Sequence, residues 1–413
     1  MSAASVRPAG FRRSRRAGLP ALLLAAFAAA CAPTPPAPAP TPAPTPETET
    51  ETLRPVGFDA LPGWGEDSLP AAFAAFRRSC PRIASGDPAA PVGQGPAARP
   101  RGLWAGACAA ADRVPPGDAV AIRQYFETRF EPFLVQGDQG AEGLFTGYFE
   151  AALRASRMAD ARYPVPIYGR PADHVTVDLR KFGADLPAER ISGRVMAGSL
   201  EPYPTRGDIQ AGAVRGPVLF WGTDPVSVFL LHVQGSGRLT LPDGSIARVG
   251  YAADNGRPYA SIGRVLIDRG ALPEGGASWP AIDAWVRANP GEAMALLAAN
   301  PRYIFFRELS AAELSPDLGP IGALGVPLTP GHSMAVDRRF MPLGAPVWLD
   351  TTWPNTPDRP LRRLMVAQDT GGAIKGAVRG DFFWGTGEPA LREAGRMRSR
   401  GRYFLLLPRP LPA

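Results

Sequence analysis

The chain has few of the side chains that bind metal ions or act as nucleophiles. Its 413 residues include three cysteines and three histidines. His174, His232 and His332 lie far apart, whereas a structural zinc site needs about four cysteine or histidine ligands with short spacings. We therefore expect no metal ion and no other cofactor. Cys80 and Cys108 lack a neighbouring histidine or a glycine-rich elbow, which argues against a catalytic cysteine.

The chain also lacks an apolar run long enough to form a stable membrane-spanning helix. The run at residues 19–30 is shorter than the ~20 residues required, follows several arginines and ends in small residues before Cys31. It resembles a bacterial lipoprotein signal, which implies that residues 1–30 are removed and that Cys31 is acylated. Because Ala32 is not aspartate, the resemblance implies a lipid anchor in the outer membrane of a Gram-negative bacterium, on its periplasmic face. The alternative is an ordinary secreted protein with a coincidental cysteine.

Residues 31–56 contain few side chains that could form a core. They are rich in proline, alanine and threonine and end in alternating glutamate and threonine. Proline-rich segments favour an extended form that spans about 3 Å per residue. We predict a tether that lets the folded part reach material some distance from the membrane.

Lysine is almost absent, since only Lys181 and Lys375 occur. Arginine therefore supplies nearly all of the positive charge, and the net charge is +7. The arginines are spread along the chain instead of forming one basic patch, which argues against nucleic acid as a partner. A moderate positive charge on an exported protein fits an anionic polymer or a membrane surface.

Cys80 and Cys108 are the cysteines that remain after the lipidation site. In an oxidising compartment an even pair within one domain favours a disulfide. We predict that these two residues are bonded, which would stabilise the fold by about 2–4 kcal/mol.

The hydrophobic pattern changes from helical to strand-like at Gly143. Before it, residues 69–76 and 119–133 repeat apolar side chains at intervals of three and four, which predicts two helices flanking the disulfide. After it, short apolar runs between glycine, proline and aspartate predict strands. These runs are at 143–150, 163–168, 218–221, 226–234, 237–241 and 246–250, with a hairpin turn at 242–245.

Two helices are predicted next, at 262–269 and 279–297, and a second β-rich block extends from residue 303 to residue 407. Two β-rich blocks joined by helices predict a mainly β fold with two domains. Clefts between domains are common binding sites, so we expect a polymer to bind in a groove between the two.

The segment 368–384 concentrates the chemistry of the chain. It contains Asp369, Lys375 and Asp381 together with four glycines. Glycine lets the backbone approach a ligand closely, and two carboxylates facing one cleft suit acid and base catalysis on a sugar. The alternative is a structural turn between two strands.

The ordered motifs of the chain resemble those of the membrane-bound lytic murein transglycosylase A family, whose barrel carries three aspartates. The resemblance rests on residues 144–150, 201–206, 231–237, 261–270, 300–306 and 368–376. It implies a double-psi β-barrel with a β-rich insert domain and a substrate groove between them. We accordingly expect a helical part at 57–149 packed on the barrel, the insert at 150–300 and the catalytic barrel at 301–408.

The resemblance also implies a reaction and its residues. The family consists of peptidoglycan lytic exotransglycosylases, which cleave the β-1,4 bond between N-acetylmuramic acid and N-acetylglucosamine and leave a 1,6-anhydro end. Asp381 corresponds to the catalytic aspartate and Asp369 to a supporting carboxylate. The residues expected to bind the glycan are Thr146, Tyr148, Gln234, Ser236, Asp337 and Lys375. We expect a monomer whose partners are peptidoglycan strands and, through the anchor, the outer membrane; His232 is expected to be a buried structural residue.

A single acid can suffice because the C6 hydroxyl of the sugar is an intramolecular nucleophile. Asp381 would have to be protonated at rest, and we expect residues 382–384 and the charge of Asp369 to raise its pKa, with Lys375 offsetting Asp369. One alternative is a peptidoglycan-binding lipoprotein without activity. Another is a hydrolase, which would need Asp337 or Glu308 as its second carboxylate.

Overall fold

The computed structural model describes most of the chain after residue 50. The described residues are 51–183, 185–186, 190–310, 313 and 317–410. The predicted signal peptide, Cys31 and nearly all of the predicted tether lie outside them. None of the helices in the described ranges is long and apolar enough to cross a membrane.

Strands outnumber helices throughout the described residues. The strands are β1 (Thr52–Pro55), β2 (Pro91–Val92), β3 (Arg99–Pro100), β4 (Phe130–Gln136), β5 (Gly143–Ser156), β6 (Val165–Tyr168), β7 (Val175–Asp178), β8 (Arg190–Met196), β9 (Ser199–Pro202), β10 (Val218–Gly222), β11 (Ser236–Thr240), β12 (Ile246–Asp254), β13 (Ile304–Glu308), β14 (Ser333–Val336), β15 (Pro346–Trp353), β16 (Thr356–Asp369), β17 (Arg379–Thr386) and β18 (Arg398–Pro408). The helices are α1 (Pro70–Ile83), α2 (Arg101–Ala111), α3 (Ala119–Arg129), α4 (Arg206–Gln210), α5 (Pro225–Gln234), α6 (Ile262–Asp268), α7 (Trp279–Ala288), α8 (Pro290–Ala298) and α9 (Gly387–Ala394). This composition confirms the predicted mainly β chain with flanking helices.

The N-terminal helices pack on one side of a barrel and share its core. Phe73 and Phe76 of α1, Trp104 of α2 and Phe126 of α3 are buried in the same cluster as the barrel strands. The predicted disulfide is present, but it joins α1 directly to α2. We did not predict α2, because its alanine- and glycine-rich sequence has little apolar periodicity.

Six strands close into the barrel. They follow the order β5, β17, β14, β16, β15 and β18, and β18 returns to pair with the first residues of β5. The β17–β5 and β14–β16 pairs are parallel, whereas the other pairs are antiparallel. The closed ring leaves no free edge among these strands, and strand side chains such as Met334, Trp348 and Val366 are fully buried.

Strand β5 belongs to both domains. Its first half pairs with β17 up to Glu150, and from Ala151 onward it pairs with β11 and then with β10. Gly147 allows this strand to pass close to Trp384, because a Cβ atom there would lie 2.6 Å from the indole nitrogen. The two domains are therefore joined through a continuous strand beside the segment that carries Asp381.

The insert domain combines β6 and β10–β13 with helices α4–α8. A separate three-stranded sheet, β7–β9, projects from it and is called the arm below. Residues 226–234 were predicted as a strand, which is wrong: they lie in α5. Asp224 caps this helix and Pro225 occupies its first turn, which are helix-start signals that outweigh the apolar run.

Three predicted boundaries also need correction. Residues 279–297 form two helices, because Pro290 starts a new one. The predicted tether is too long at its end, because residues 52–55 pair with β4. The predicted insert is too short, because residues 304–308 pair with β12 of the insert and not with the barrel.

Candidate active site

Asp369 and Asp381 are brought together by strand register. A row of directly opposed residues crosses four strands: Asp369 of β16, Ala335 of β14, Asp381 of β17 and Thr146 of β5. Directly opposed residues point to the same face of a sheet, and neighbouring strands lie about 4.8 Å apart. The two aspartates therefore share a face with the small side chain of Ala335 between them.

Asp381 is held by a chain of two hydrogen bonds. Thr146 Oγ1 lies 2.6 Å from Asp381 Oδ1, and a guanidinium nitrogen of Arg379 lies 2.9 Å from the same Oγ1. Arg379 also donates to the carbonyls of Leu144 and Gly380, which fixes its position. Since guanidinium can only donate, Thr146 accepts from Arg379 and donates to the carboxylate.

The proton affinity of Asp381 is set by opposing effects. Burial raises the pKa of Asp381, whereas the charge of Arg379 and the hydrogen bond from Thr146 lower it, and the net direction is upward. The Oδ2 atom has no hydrogen-bond partner among the described residues. A half-buried carboxyl with a raised pKa and one unoccupied oxygen can act as a general acid.

Asp369 has both oxygens occupied. Oδ1 accepts from the backbone N–H groups of Ala323 and Thr370, each at 2.9 Å, and Oδ2 accepts from the Tyr148 hydroxyl at 3.0 Å. The pKa of Asp369 is raised to about 6, because burial and, to a smaller extent, the charge of Asp381 outweigh the three hydrogen bonds, which lower it. Asp369 therefore orients Tyr148 and places a second titrating group beside Asp381.

The apolar surroundings of Asp381 differ from the prediction. Phe383, two residues along β17, shares its face and packs against Tyr148 with ring centroids 5.2 Å apart. Phe382 and Trp384 alternate to the other face, where their rings lie 4.5 Å apart and contact the barrel core. One of the three predicted aromatic residues is thus on the side of the carboxylates.

Gln234 and Ser236 lie at the end of α5, next to β5. The Gln234 side-chain oxygen accepts a 3.0 Å hydrogen bond from the backbone of Phe149, the residue after Tyr148. Gly235 ends the helix with a φ of 73°, a left-handed conformation that glycine adopts without strain. Ser236 is buried and begins β11. Gln234 therefore connects the insert to the strand that carries Thr146 and Tyr148.

Asp337 and Lys375 do not form hydrogen bonds or ion pairs with Asp369 or Asp381 in the described part of the chain. Asp337 is buried and accepts from the Arg339 guanidinium and from the backbone N–H of Gly376 at 3.0 Å. Burial alone would raise the pKa of Asp337, but these hydrogen bonds hold it below the ordinary value. Asp337 thus anchors the loop that joins the two site aspartates. Lys375 is exposed on that loop, and the cation that acts on Asp381 is Arg379.

The insert carries a tyrosine that senses the charge of Asp381. Burial raises the pKa of Tyr259, and the charge of Asp381 raises it further, so these two groups lie within electrostatic range. Beside Tyr259, Arg206 is buried and contacts His232 Nδ1 at 3.1 Å. Burial and the Arg206 charge hold the pKa of His232 well below its ordinary value. His232 is therefore neutral and buried, as predicted, although it lies on a helix.

Sequence reasoning missed Arg379 and Ala323. Arg379 precedes Asp381 by two residues in the predicted β-rich block. Because side chains two residues apart on a strand point to the same face, the sequence could have predicted that Arg379 lies beside Asp381. Ala323 contributes only a backbone N–H group, for which the sequence carries no signal. Within the described ranges no group of three or more histidine, cysteine, aspartate or glutamate side chains could hold a metal ion.

Two family descriptions match consecutive parts of the chain. Residues 144–307 match the MltA specific insert domain, and residues 332–407 match the 3D domain. A similar curated protein is the membrane-bound lytic murein transglycosylase A of Escherichia coli K12. It is 33% identical over 303 residues, which cover 71% of this chain and 73% of that protein.

Solved structures agree with this sequence similarity. The membrane-bound lytic murein transglycosylase of Agrobacterium tumefaciens superposes with a TM-score of 0.75 at 33% identity, covering 86% of this chain and 98% of that one. E. coli MltA crystallised with bound chitohexaose superposes with a TM-score of 0.62 at 26% identity, covering 89% and 96%. The described fold, the paired aspartates and these matches lead to one assignment: the chain belongs to the membrane-bound lytic murein transglycosylase A family.

Proposed function

We propose that this chain cleaves the β-1,4 bond between N-acetylmuramic acid and N-acetylglucosamine in peptidoglycan and leaves a 1,6-anhydro-N-acetylmuramic acid end. As a member of its family, the chain is a peptidoglycan-cleaving lyase. The finer statement concerns the bond, the product and the residues that act. Its main support is the asymmetric environment of Asp381.

One oxygen of Asp381 has no hydrogen-bond partner among the described residues and is available to a substrate. The Thr146 hydroxyl donates to Oδ1, and its orientation is fixed because it also accepts a hydrogen bond from Arg379. The acidic proton therefore belongs on Oδ2, since Oδ1 already accepts. The neighbouring Phe383 ring and the carboxyl group of Asp369 favour the protonated form of Asp381 before the reaction.

In the proposed reaction, Asp381 transfers its proton to the glycosidic oxygen as the bond from that oxygen to C1 of N-acetylmuramic acid breaks. The carboxylate then takes the proton from the C6 hydroxyl of the same sugar, and O6 forms the new bond to C1. Asp381 ends protonated, and no water is consumed. One carboxyl group can serve both half-reactions because the glycosidic oxygen, which leaves with N-acetylglucosamine, and the C6 hydroxyl of N-acetylmuramic acid both react at the same C1 atom.

The carboxylates that a hydrolase would need are engaged elsewhere. Glu308 is paired with Arg157 through bonds of 2.7 and 3.0 Å, which lower its pKa. Asp337 is paired with Arg339 and carries the loop between the site aspartates. Asp369 has three donors on its two oxygens. None of these three is poised to attack the sugar or to activate water.

The remaining predicted residues are assigned to glycan binding. A relative was crystallised with bound chitohexaose, an oligosaccharide of six β-1,4-linked amino sugars, and we extend this to the groove of the present chain. Tyr148 presents an aromatic ring and a hydroxyl beside Asp369. Gln234 and Ser236 lie where the insert meets β5. Such groups suit the apolar faces and hydroxyl edges of sugars.

We further propose that the chain acts as a monomer attached to the periplasmic face of the outer membrane through a lipid on Cys31. The relatives are named membrane-bound, and the signal-like sequence before Cys31 supports a lipid anchor. The proline-rich segment after it would let the enzyme reach the peptidoglycan layer.

The test is mass spectrometry of products from purified peptidoglycan treated with the full-length chain. The comparison variants are Asp381→Asn and, as a control of equal charge change, Asp358→Asn on the exposed β15–β16 hairpin. We expect products about 18 Da lighter than hydrolysis would give, lost in Asp381→Asn by a factor of about 10² or more and retained in the control. Products with reducing ends would establish hydrolysis instead.

A further inference from the structure

A small cavity away from the two aspartates is lined mainly by arginine. Its volume is about 200 Å³, and it is lined by Gln94, Asp178, Arg180, Arg190 and Arg338. Asp178, Arg180 and Arg190 come from the arm, Gln94 from the N-terminal part and Arg338 from the turn after β14. Three separate parts of the chain therefore supply one polar cavity.

The charges around this cavity do not balance. Asp178 pairs with Arg190 at 3.6 Å and offsets one of the three guanidinium groups. In the part of the chain that the structure describes, Arg180 and Arg338 have no ion-pair partner. Like charges facing one small space repel each other, and a bound anion would relieve this repulsion.

The cavity is lined by residues of both the insert and the barrel, the two domains that carry the candidate active site. On the insert side, Ser192 of the arm packs on Gly256, where an added Cβ would lie 3.0 Å from its side chain. Gly256 precedes Tyr259, which lies within electrostatic range of Asp381. On the barrel side, Arg338 follows Asp337, which holds Gly376 in the loop before Asp381. Residues close in sequence to the site thus lead to the cavity from both domains.

We propose that this cavity binds a carboxylate group of the peptide stem on the glycan strand that is being cleaved. The inference rests on the proposed function and adds a substrate feature to it. Peptide stems carry free carboxylates, and guanidinium groups bind carboxylates through paired, charge-assisted hydrogen bonds. An extended stem of four or five residues reaches roughly 13–18 Å from its sugar, far enough to leave the groove laterally.

The composition of the cavity favours a carboxylate over a phosphate. Asp178 lines the same space, and its charge opposes a doubly charged group more than a singly charged one. The Gln94 amide offers a donor and an acceptor, which suit a peptide backbone. The cavity therefore selects strands that bear stems over bare glycan.

The first test compares cleavage of stem-bearing strands with cleavage of the same strands after enzymatic removal of the stems. The variant is Arg180→Ala/Arg190→Ala/Arg338→Ala, and the matched control removes three exposed arginines elsewhere, Arg113→Ala/Arg154→Ala/Arg392→Ala. We expect the ratio of kcat/KM for stem-bearing over bare strands to fall at least about fivefold in the cavity variant. The control should keep the wild-type ratio. An unchanged ratio in the cavity variant would overturn the proposal.

The second test measures binding directly, by calorimetry, with a free stem tetrapeptide as the probe. The tetrapeptide should bind the wild type more tightly than its fully amidated form, and the cavity variant should lose this difference. Binding of inorganic phosphate in place of the tetrapeptide would refute the carboxylate assignment. If the wild type cleaved neither strand, the proposed function would fail while tetrapeptide binding still tested the cavity. If the triple variant does not fold, the single variant Arg338→Ala replaces it. This variant should lower the ratio of kcat/KM for stem-bearing over bare strands by a smaller factor.

Discussion

Thr146 and Asp381 lie directly opposite each other on two parallel strands, and the threonine hydroxyl donates a 2.6 Å hydrogen bond to Asp381 Oδ1. The contact follows from the strand register, which places the two residues side by side. The residues before them, Phe145 and Gly380, alternate to the other face of the sheet. Arg379 fixes the direction of the hydroxyl. The acid is therefore oriented by a neutral donor, with the cation one step removed.

The first prediction concerns that hydrogen bond. Thr146→Val keeps the shape of the side chain but removes the donor to Asp381, so we expect kcat to fall about tenfold, the typical worth of a hydrogen bond to a charged group. The hydrogen bond lowers the pKa of Asp381, so its loss should move the high-pH limit of activity upward. A pH profile of kcat/KM measures this shift.

Thr146→Ser is the matched control, because it retains the hydroxyl and loses only a methyl group. It should keep the wild-type pH profile. Equal profiles for the valine and serine variants would mean that the threonine acts through packing and not through its donor.

The second prediction concerns Arg379, which lowers the pKa of Asp381 more than Thr146 does. Arg379→Met should therefore move the high-pH limit of activity further upward than Thr146→Val, while kcat falls because Thr146 loses its anchor. Arg379→Lys keeps the charge without the forked geometry, so it should restore most of the pH profile but not the rate. A methionine variant with the wild-type pH limit would contradict this role.

The sequence was sufficient to predict the two domains, most strands and the identity of the paired aspartates. Glycine, proline and period-two alternation mark these features locally. The sequence also predicted the Cys80–Cys108 bond, because these are the only two cysteines of the sequence after Cys31. Features of this kind can be predicted from local sequence without knowing which strands pair.

Contacts between distant segments could not be predicted in the same way. The alignment of Asp369 and Asp381 with Ala335 depends on a parallel and an antiparallel pairing on either side of β14. Gln368, which donates to Ala75 and Ser79 of α1, connects the strand before Asp369 to a helix some 290 positions earlier in the chain. The α5 error has a local cause, because a buried helix and a buried strand can have the same apolar run.

The third prediction links Asp369 to stability. Its pKa is raised from 3.8 to about 6 in the folded protein, so the folded state binds this proton more tightly than the unfolded state does. The resulting stabilisation is complete below about pH 4 and is lost as the pH rises through about 6. Asp369→Asn does not titrate, so its free energy of unfolding relative to wild type should rise between pH 4 and pH 7, by on the order of 1–3 kcal/mol.

Urea unfolding of both proteins at several pH values measures this difference, and other titrating groups cancel to first order. The exposed control Asp358→Asn should show a constant difference from wild type. A falling difference for Asp369→Asn would indicate a depressed pKa and contradict the burial argument.

The fourth prediction concerns Glu150, which is fully buried where β5 passes from the barrel to the insert. Its two oxygens pair with Arg238 at 2.9 Å and Arg248 at 2.8 Å. Glu150→Gln leaves Arg248, itself buried, without its counter-charge, so we expect the free energy of unfolding to fall by about 3–5 kcal/mol. Thermal or urea unfolding gives this value.

Removing both charges separates the cost of an unpaired ion from the worth of the pair. Glu150→Met/Arg248→Met should be less destabilised than Glu150→Gln, because no buried charge loses its partner and Arg238 is exposed enough to reach water. Since the pair lies at the junction of the two groove walls, Glu150→Gln should also lower cleavage of peptidoglycan at temperatures where it remains folded. If Glu150→Gln were as stable as wild type, the ion pairs would not hold the junction, and packing around β5 would hold it instead.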